Sequence, residues 1–273
     1  MAAPQWPEAA ERLRSPAFAP FHSTLARLPK DRWPDHADLN AAAADIATAR
    51  GKPLRFAAPR PAQEGPRANY ERHIADTGEV ETRAGNWHDL FNALAWIAYP
   101  KAKAAINAQH AAILEERGEE EAKHRGPERD ALTLFDESGV VVASASPEFM
   151  RLIVEQEWKE LFWHRRAELE AKVRFLVFGH ALAEKALEPR TGIGTKSVFL
   201  PVDELFFMLP VEAQVARVDE QIAAHFAQRT RFASPKSMAS VPAMGIPGWH
   251  PDNDREEFYN DAVHFRSKPD APA

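Results

Sequence analysis

Two short groups of residues carry most of the chemistry that this sequence could perform. The first group is His88, Asp89 and Asn92, and the second is His180 with Glu184 four positions later. An imidazole beside a carboxylate can transfer protons, and both side chains are common metal ligands. We therefore take these five residues as the candidate catalytic residues.

The first group lies in a segment that the sequence predicts to be a buried helix. The helix begins after Asn86, and its apolar residues recur at helical spacing and cover most of its faces. Three polar residues, His88, Asn92 and Tyr99, fall within about 40° of one another around its axis. Two interpretations follow. Either these side chains bond to neighbouring backbone, or they line a pocket in which His88 is a base or metal ligand that Asp89 orients.

The second group follows a predicted central strand at residues 173–178, where Gly179 turns the chain directly into a helix. His180 and Glu184 share one face of that helix, at a strand-to-helix junction of the kind where sites commonly form. The helix dipole there disfavours an imidazolium, so His180 could act as a neutral base or ligand. The alternative is that His180 caps and packs while Glu184 pairs with a solvent-exposed lysine.

A shared site would require the two histidines to converge. With Asp89 or Glu184 they would then form a two-histidine, one-carboxylate metal site or a histidine–carboxylate acid–base pair. No His-Glu-x-x-His or similar motif requires this, so a divalent metal is one hypothesis and the cofactor stays open. Ring nitrogens that bind one zinc lie about 3 to 4 Å apart, whereas rings more than about 10 Å apart would exclude a shared site.

The amino-acid composition limits the classes of function that this chain could have. The chain has 273 residues, a net charge of −6 and no cysteine. The mild negative charge argues against nucleic acid and anionic membranes as partners, and the absence of cysteine excludes thiol chemistry. The N-terminus does not resemble a signal peptide, and the longest apolar run, residues 90–100, is too short to span a bilayer. We expect a cytoplasmic protein that binds a small molecule. The sequence does not define its oligomeric state.

The expected architecture is α+β: a helix-rich single domain, residues 36–233, around a small mixed sheet. Residues 132–135 and 140–143 are predicted to form a β-hairpin in this sheet, together with the strand at 173–178. Residues 1–35 and 234–273 are rich in proline and carry scattered aromatic residues. They predict N-terminal and C-terminal arms that pack on the domain, since their aromatic side chains would otherwise be exposed.

Several blocks, spread over most of the chain, are long enough to be specific. They include Trp87-His88-Asp89-Leu90-Phe91-Asn92-Ala93-Leu94, Leu132-Thr133-Leu134-Phe135-Asp136, Phe178-Gly179-His180-Ala181-Leu182, Gly245-Ile246-Pro247-Gly248-Trp249 and Val263-His264-Phe265-Arg266. In these blocks the chain resembles an uncharacterised bacterial family, domain of unknown function 3025. The resemblance implies a single bacterial domain and supplies no mechanism.

Three hypotheses for function remain at this point. The first is a small-molecule enzyme, for example a hydrolase, that uses the five candidate residues in one site. The second is a non-catalytic ligand-binding or adaptor protein, which predicts an apolar pocket or exposed aromatic patch near Trp249 and histidines that lie apart. The third is a purely structural role, in which the polar stripe is fully hydrogen-bonded. The sequence favours the first hypothesis for the location of the site and indicates no substrate.

Overall fold

The computed structural model describes residues 5–60 and 69–266. Within these ranges the chain is mainly helical, and short 3-10 segments connect many of the elements. The α-helices are α1 (His22–Arg27), α2 (His36–Ala42), α3 (Asn69–Thr77), α4 (Trp87–Ala98), α5 (Pro100–Lys123), α6 (Pro127–Ser138), α7 (Pro147–Glu155), α8 (Arg166–Lys172), α9 (His180–Ala186) and α10 (Val211–Phe226). Helix α5 is interrupted at Gly118, whose backbone is not helical. A π-helical turn, Glu160–His164, precedes α8.

The strands form two small sheets. They are β1 (Arg55–Ala57), β2 (Glu79–Glu81), β3 (Gly139–Ser144), β4 (Val173–Val177) and β5 (Lys196–Pro201). Strands β1 and β2 pair in parallel, while β3 lies between β4, to which it is antiparallel, and β5, to which it is parallel. Every residue of β3, the middle strand of its sheet, is buried. Strand β4, which the sequence predicts to be central, lies instead at the edge of this sheet among the described strands. Its apolar run is explained by the helical segments that pack on it, not by a second neighbouring strand. The predicted helix-rich α+β fold with a small mixed sheet is confirmed.

One predicted strand is wrong. Residues 132–135 belong to α6, which begins with Pro127 at its first position, and no hairpin joins them to β3. The buried apolar side chains of α6 are Ala131, Leu132 and Phe135, which recur at helical spacing. A four-residue apolar run fits a strand and a helix equally well, and here packing on the sheet and on α9 decides for the helix.

Helix α4 lies at the centre of the core, as its sequence predicts. Asn86 caps it, since its Oδ1 accepts a hydrogen bond from the Asp89 backbone N–H at 3.0 Å. The helix ends at Ala98, because Tyr99 leaves the helical conformation and Pro100 begins α5. Most residues of α4 are buried. The cap at Asn86, the break at Pro100 and the burial of most side chains therefore fix the position of α4.

Both terminal segments pack on this body through aromatic side chains. From the N-terminal segment, Phe18 stacks on Phe91 of α4 with ring centroids 5.6 Å apart, and Trp33 packs on Trp87 at 4.7 Å. In the C-terminal segment Trp249 is buried. The arm boundaries at residues 35 and 234 stay a prediction. Among the described residues, none of the helices has the length and apolar character needed to traverse a membrane.

Candidate functional site

The pairing of β3 with β4 brings two distant turns together. Because these strands are antiparallel, the start of β3 lies beside the end of β4, and the Gly179 N–H donates to Gly139 O at 2.9 Å. A Cβ atom on Gly179 would lie 2.4 Å from Gly139 N and 2.5 Å from Glu137 O, so only glycine permits this approach. The approach sets His180, the first residue of α9, beside Asp136 and Glu137 at the end of α6.

Helix α4 packs against α9 and adds His88 to this junction. The Nε2 atoms of His88 and His180 lie 3.1 Å apart, and the two ring planes meet at 78°. On the other side of its ring, His88 Nδ1 lies 3.1 Å from Glu184 Oε2. The two groups of candidate residues therefore lie together, and the nitrogen separation is the one that a shared site requires.

Two carboxylates that the sequence did not single out complete the surroundings of His180. Its Nε2 lies 3.6 Å from Glu137 Oε2, and its Nδ1 lies 3.6 Å from Asp136 Oδ2. Each imidazole thus has one carboxylate at its Nδ1 side, while Glu137 approaches the facing Nε2 atoms. Ligand atoms of His88, Glu137 and His180 lie within 4.8 Å of one another, and these three residues could hold a metal ion.

The site is buried on one side and open to water on the other. The His180 side chain is 7% exposed, whereas those of His88 and Glu137 are 34% and 36% exposed. Burial, together with the positive charge of Lys103, lowers the pKa of His180 to about 3, so this imidazole is neutral at pH 7. Burial and then the nearby charge of Asp136 raise the pKa of Glu137.

Beneath the histidines lies a buried polar group centred on Lys103 of α5, whose side chain is 4% exposed. Its Nζ donates to Asp136 Oδ1 at 2.5 Å and to Asn92 Oδ1 at 2.9 Å, and lies 5.4 Å from the centroid of the Trp96 ring. Asn92 Nδ2 in turn approaches the Tyr70 hydroxyl at 3.4 Å. Burial acts to raise the pKa of Asp136, but the charge of Lys103, the neighbouring His180 and the Lys103 hydrogen bond together outweigh burial, and the pKa is lowered.

We name these two groups by their depth. The inner cluster is Lys103, Asp136, Asn92 and Tyr70, and the outer cluster is His88, His180, Glu137 and Glu184. Among the candidate residues, the structure places His88, His180 and Glu184 in the outer cluster and Asn92 in the inner one.

The remaining candidate, Asp89, makes its hydrogen bonds elsewhere. Its carboxylate accepts from Arg83 Nε at 2.7 Å, from Arg83 Nη2 at 2.9 Å and from the Arg83 backbone N–H at 2.7 Å. Glu184 occupies the position beside His88 Nδ1 that the sequence interpretation gave to Asp89. Tyr99, the third member of the polar stripe, is buried and donates to Val177 O at 3.0 Å, as the structural interpretation predicts.

Sequence reasoning missed Lys103, Asp136 and Glu137. The predicted hairpin puts Asp136 and Glu137 in its turn, where their side chains would point to solvent. The signal that could have located these two acids is the antiparallel pairing of β3 with β4, because this pairing puts the end of α6 next to His180. For Lys103 the sequence offers no comparable signal, because Lys101, two positions earlier on the same helix, is exposed while Lys103 is buried.

A comparison with known families gives a match over residues 54–269, to the model of a protein family of unknown function, DUF3025. The chain belongs to the DUF3025 family. The matched span contains every residue of the inner and outer clusters, so this site lies in the part of the chain that defines membership. Neither the curated proteins nor the solved structures gave a match to this DUF3025 protein.

Proposed function

We propose that this DUF3025 protein is a small-molecule hydrolase whose reactive centre is the outer cluster. The observation that carries the proposal is the 3.1 Å approach of His88 Nε2 to His180 Nε2, between side chains 92 positions apart in the chain. Each imidazole also has a carboxylate at its Nδ1 side. Such histidine–carboxylate pairs recur in sites that activate water.

The hydrogen-bonding state of the histidines supports a functional role over a structural one. Buried structural histidines are normally hydrogen-bonded through both nitrogens. Here the two Nε2 atoms face each other, and the buried His180 Nδ1 has no hydrogen-bond partner among the described residues. A buried polar atom without a partner costs about 1 to 3 kcal/mol. Five other side chains outside the site also have such an atom among the described residues, so the convergence of the two rings and their carboxylates, and not this atom alone, supports the proposal.

In the proposed reaction, water reaches the cluster from the side where His88, Glu137 and Glu184 are exposed. The water oxygen forms a bond to an acyl carbon or phosphorus, and one of the two glutamates accepts its proton. The bond to the leaving group breaks, and the leaving group takes up the proton that the glutamate had accepted. A partly exposed carboxylate beside a nearly buried imidazole suits this exchange, because water can enter while the pair stays positioned.

The competing hypotheses explain less of the geometry. An adaptor surface near Trp249 was expected to be exposed and the histidines to lie apart, whereas Trp249 is 3% exposed and the rings are in contact. The structural hypothesis accounts well for Asn92 and Tyr99, whose polar atoms have partners inside the protein. It gives no reason for the outer cluster to hold two glutamates at a solvent-open face.

The test is a panel of chromogenic carboxylic esters, phosphate esters and amides, assayed with and without added divalent metal. We expect turnover of one substrate class, reduced about 100-fold or more in His88→Gln and in Glu137→Gln. The matched control is His164→Gln, which changes an exposed histidine outside the site. Full activity in both site variants, or a folded wild-type protein inert toward the whole panel, would contradict the proposal.

A further inference from the structure

With both imidazoles neutral, the outer cluster contains more hydrogen-bond acceptors than protons to share among them. If His88 Nδ1–H donates to Glu184, the neutral His88 ring presents a lone pair at Nε2. His180 must then donate its own Nε2–H across the 3.1 Å gap. That tautomer leaves a lone pair on His180 Nδ1, 3.6 Å from the Asp136 carboxylate, where no donor is present among the described residues.

A cation between the two Nε2 atoms removes this conflict. Both imidazoles could then carry their proton on Nδ1, His88 facing Glu184 and His180 facing Asp136, while both Nε2 lone pairs face the cation. Carboxylate–histidine–metal arrangements of this kind fix the tautomer and orientation of ligating histidines. A cation would also offset the charge of Glu137, which forms no ion pair with lysine or arginine among the described residues.

We propose that His88 Nε2, His180 Nε2 and the Glu137 carboxylate bind one divalent transition-metal ion, with Glu184 and Asp136 as positioning residues behind the two histidines. Two donors bound at about 2.1 Å to one ion lie roughly 3.0 to 3.4 Å apart, in octahedral or tetrahedral geometry. The two nitrogens, at 3.1 Å, already have this spacing, and the nearest Glu137 oxygen is 3.6 Å from His180 Nε2.

The ligand set and exposure indicate the kind of ion and site. Two imidazoles with one carboxylate suit zinc or iron(II) better than calcium or magnesium, which prefer oxygen ligands. Three protein ligands leave at least one position open, as catalytic rather than structural metal sites do. The exposed side of His88 and Glu137 is where that open position would admit water.

This inference deepens the proposed function, on which it rests only for the role of the metal. When bound, the ion would lower the pKa of a coordinated water and so supply the nucleophile. Glu184 and Asp136 would hold the ligand rings in place, and Lys103 would hold Asp136. Binding itself is a property of the three ligands and can be measured without any substrate.

The test begins with full-length protein stripped with a chelator, to which zinc is added in competition with a chromophoric chelator. We expect one zinc per chain, and visible absorption bands from cobalt(II) at the same site. Glu184→Gln should weaken zinc binding about 10- to 100-fold, and His88→Gln and Glu137→Gln should weaken it at least as much. The exposed His164→Gln variant should bind as the wild type does.

Variants at His88, Glu137 and Glu184 are preferred because these side chains are partly exposed, whereas a change at the buried His180 could prevent folding. Circular dichroism of each apo-variant verifies the fold. Absence of zinc binding, or equal binding by His88→Gln and wild type, would overturn the metal site. Hydrolysis by the metal-free protein would support the proposed hydrolase and contradict a catalytic role for the metal. Zinc binding without turnover of any substrate would support the metal site and contradict the proposed hydrolase.

Discussion

The inner and outer clusters share the contact between Asp136 and His180, yet they satisfy their polar atoms in opposite ways. In the inner cluster a single ammonium, on Lys103, donates to a carboxylate and to an amide oxygen. In the outer cluster two glutamates surround two histidines, and among the described residues neither glutamate pairs with lysine or arginine. In the inner cluster the carboxylate therefore has its counter-charge as soon as the chain folds. The glutamates of the outer cluster have no lysine or arginine as a counter-charge among the described residues.

If the proposed function holds, this difference separates a structural polar group from a functional one. A buried charge is tolerated when its partner is folded in beside it, and removing the partner is then costly. A cluster at a solvent-open face can keep unmatched acceptors, because water compensates part of the cost until a ligand binds. We therefore expect variants of the inner cluster to affect mainly stability and variants of the outer cluster to affect mainly binding and reaction.

The largest effect is expected for Lys103→Met, which leaves the Asp136 carboxylate buried without its counter-charge. The free energy of unfolding should fall by about 3 to 5 kcal/mol, as for other broken buried ion pairs. Urea unfolding of the metal-free protein at pH 7 measures it. The matched control is Lys101→Met on the same helix, whose exposed pair with Glu220 should contribute little. A similar small loss for both lysines would remove the distinction between the clusters.

An intermediate effect is expected from Asp219, a buried carboxylate with no lysine at hydrogen-bonding distance among the described residues. It accepts from the Lys101 and Ala102 backbone N–H groups at the start of α5, and burial raises its pKa to about 6. The folded protein therefore binds a proton that the unfolded chain has lost between about pH 4 and pH 6. This contribution to stability falls as pH rises through that window, by up to about 3 kcal/mol.

Asp219→Asn removes this titration, so its urea-derived stability should decline less than that of the wild type between pH 4 and pH 6. The comparison with Asp136 sharpens the role of Lys103, because there the lysine charge is the largest of the contributions that together lower the pKa against the effect of burial. An unchanged pH dependence in Asp219→Asn would show that two backbone N–H donors alone can keep a buried carboxylate ionised.

The sequence predicted the positions of both histidines but not what would surround them. Short-range sequence patterns were sufficient to predict the cap at Asn86, the strand that ends before Gly179 and the helix that follows this glycine. These features depend on neighbours within a few residues. The spacing of His88 and Asn92 on one helix face likewise followed from helical periodicity.

Contacts between distant segments could not be read in the same way. Glu137 reaches the site because α6 replaces a predicted strand and because β3 and β4 pair in one register. Tyr99 shared the predicted stripe, but the helix ends one residue earlier and its hydroxyl turns to Val177. For residues 132–135, tertiary packing chose between a helix and a strand that the local sequence allows equally. For Tyr99, Pro100 ends the helix locally, but the bond of its hydroxyl to Val177 depends on a distant strand.

The smallest stability effect is expected at the outer cluster and completes the comparison. Because the His88 side chain is 34% exposed and faces unmatched acceptors, His88→Gln should change the free energy of unfolding of the metal-free protein by no more than about 0.5 kcal/mol. Urea unfolding beside Lys103→Met measures the contrast. Excess zinc at about 100 times its dissociation constant should stabilise the wild type by about 2.7 kcal/mol and this variant far less. A loss above about 2 kcal/mol without zinc would instead make His88 part of the structural core.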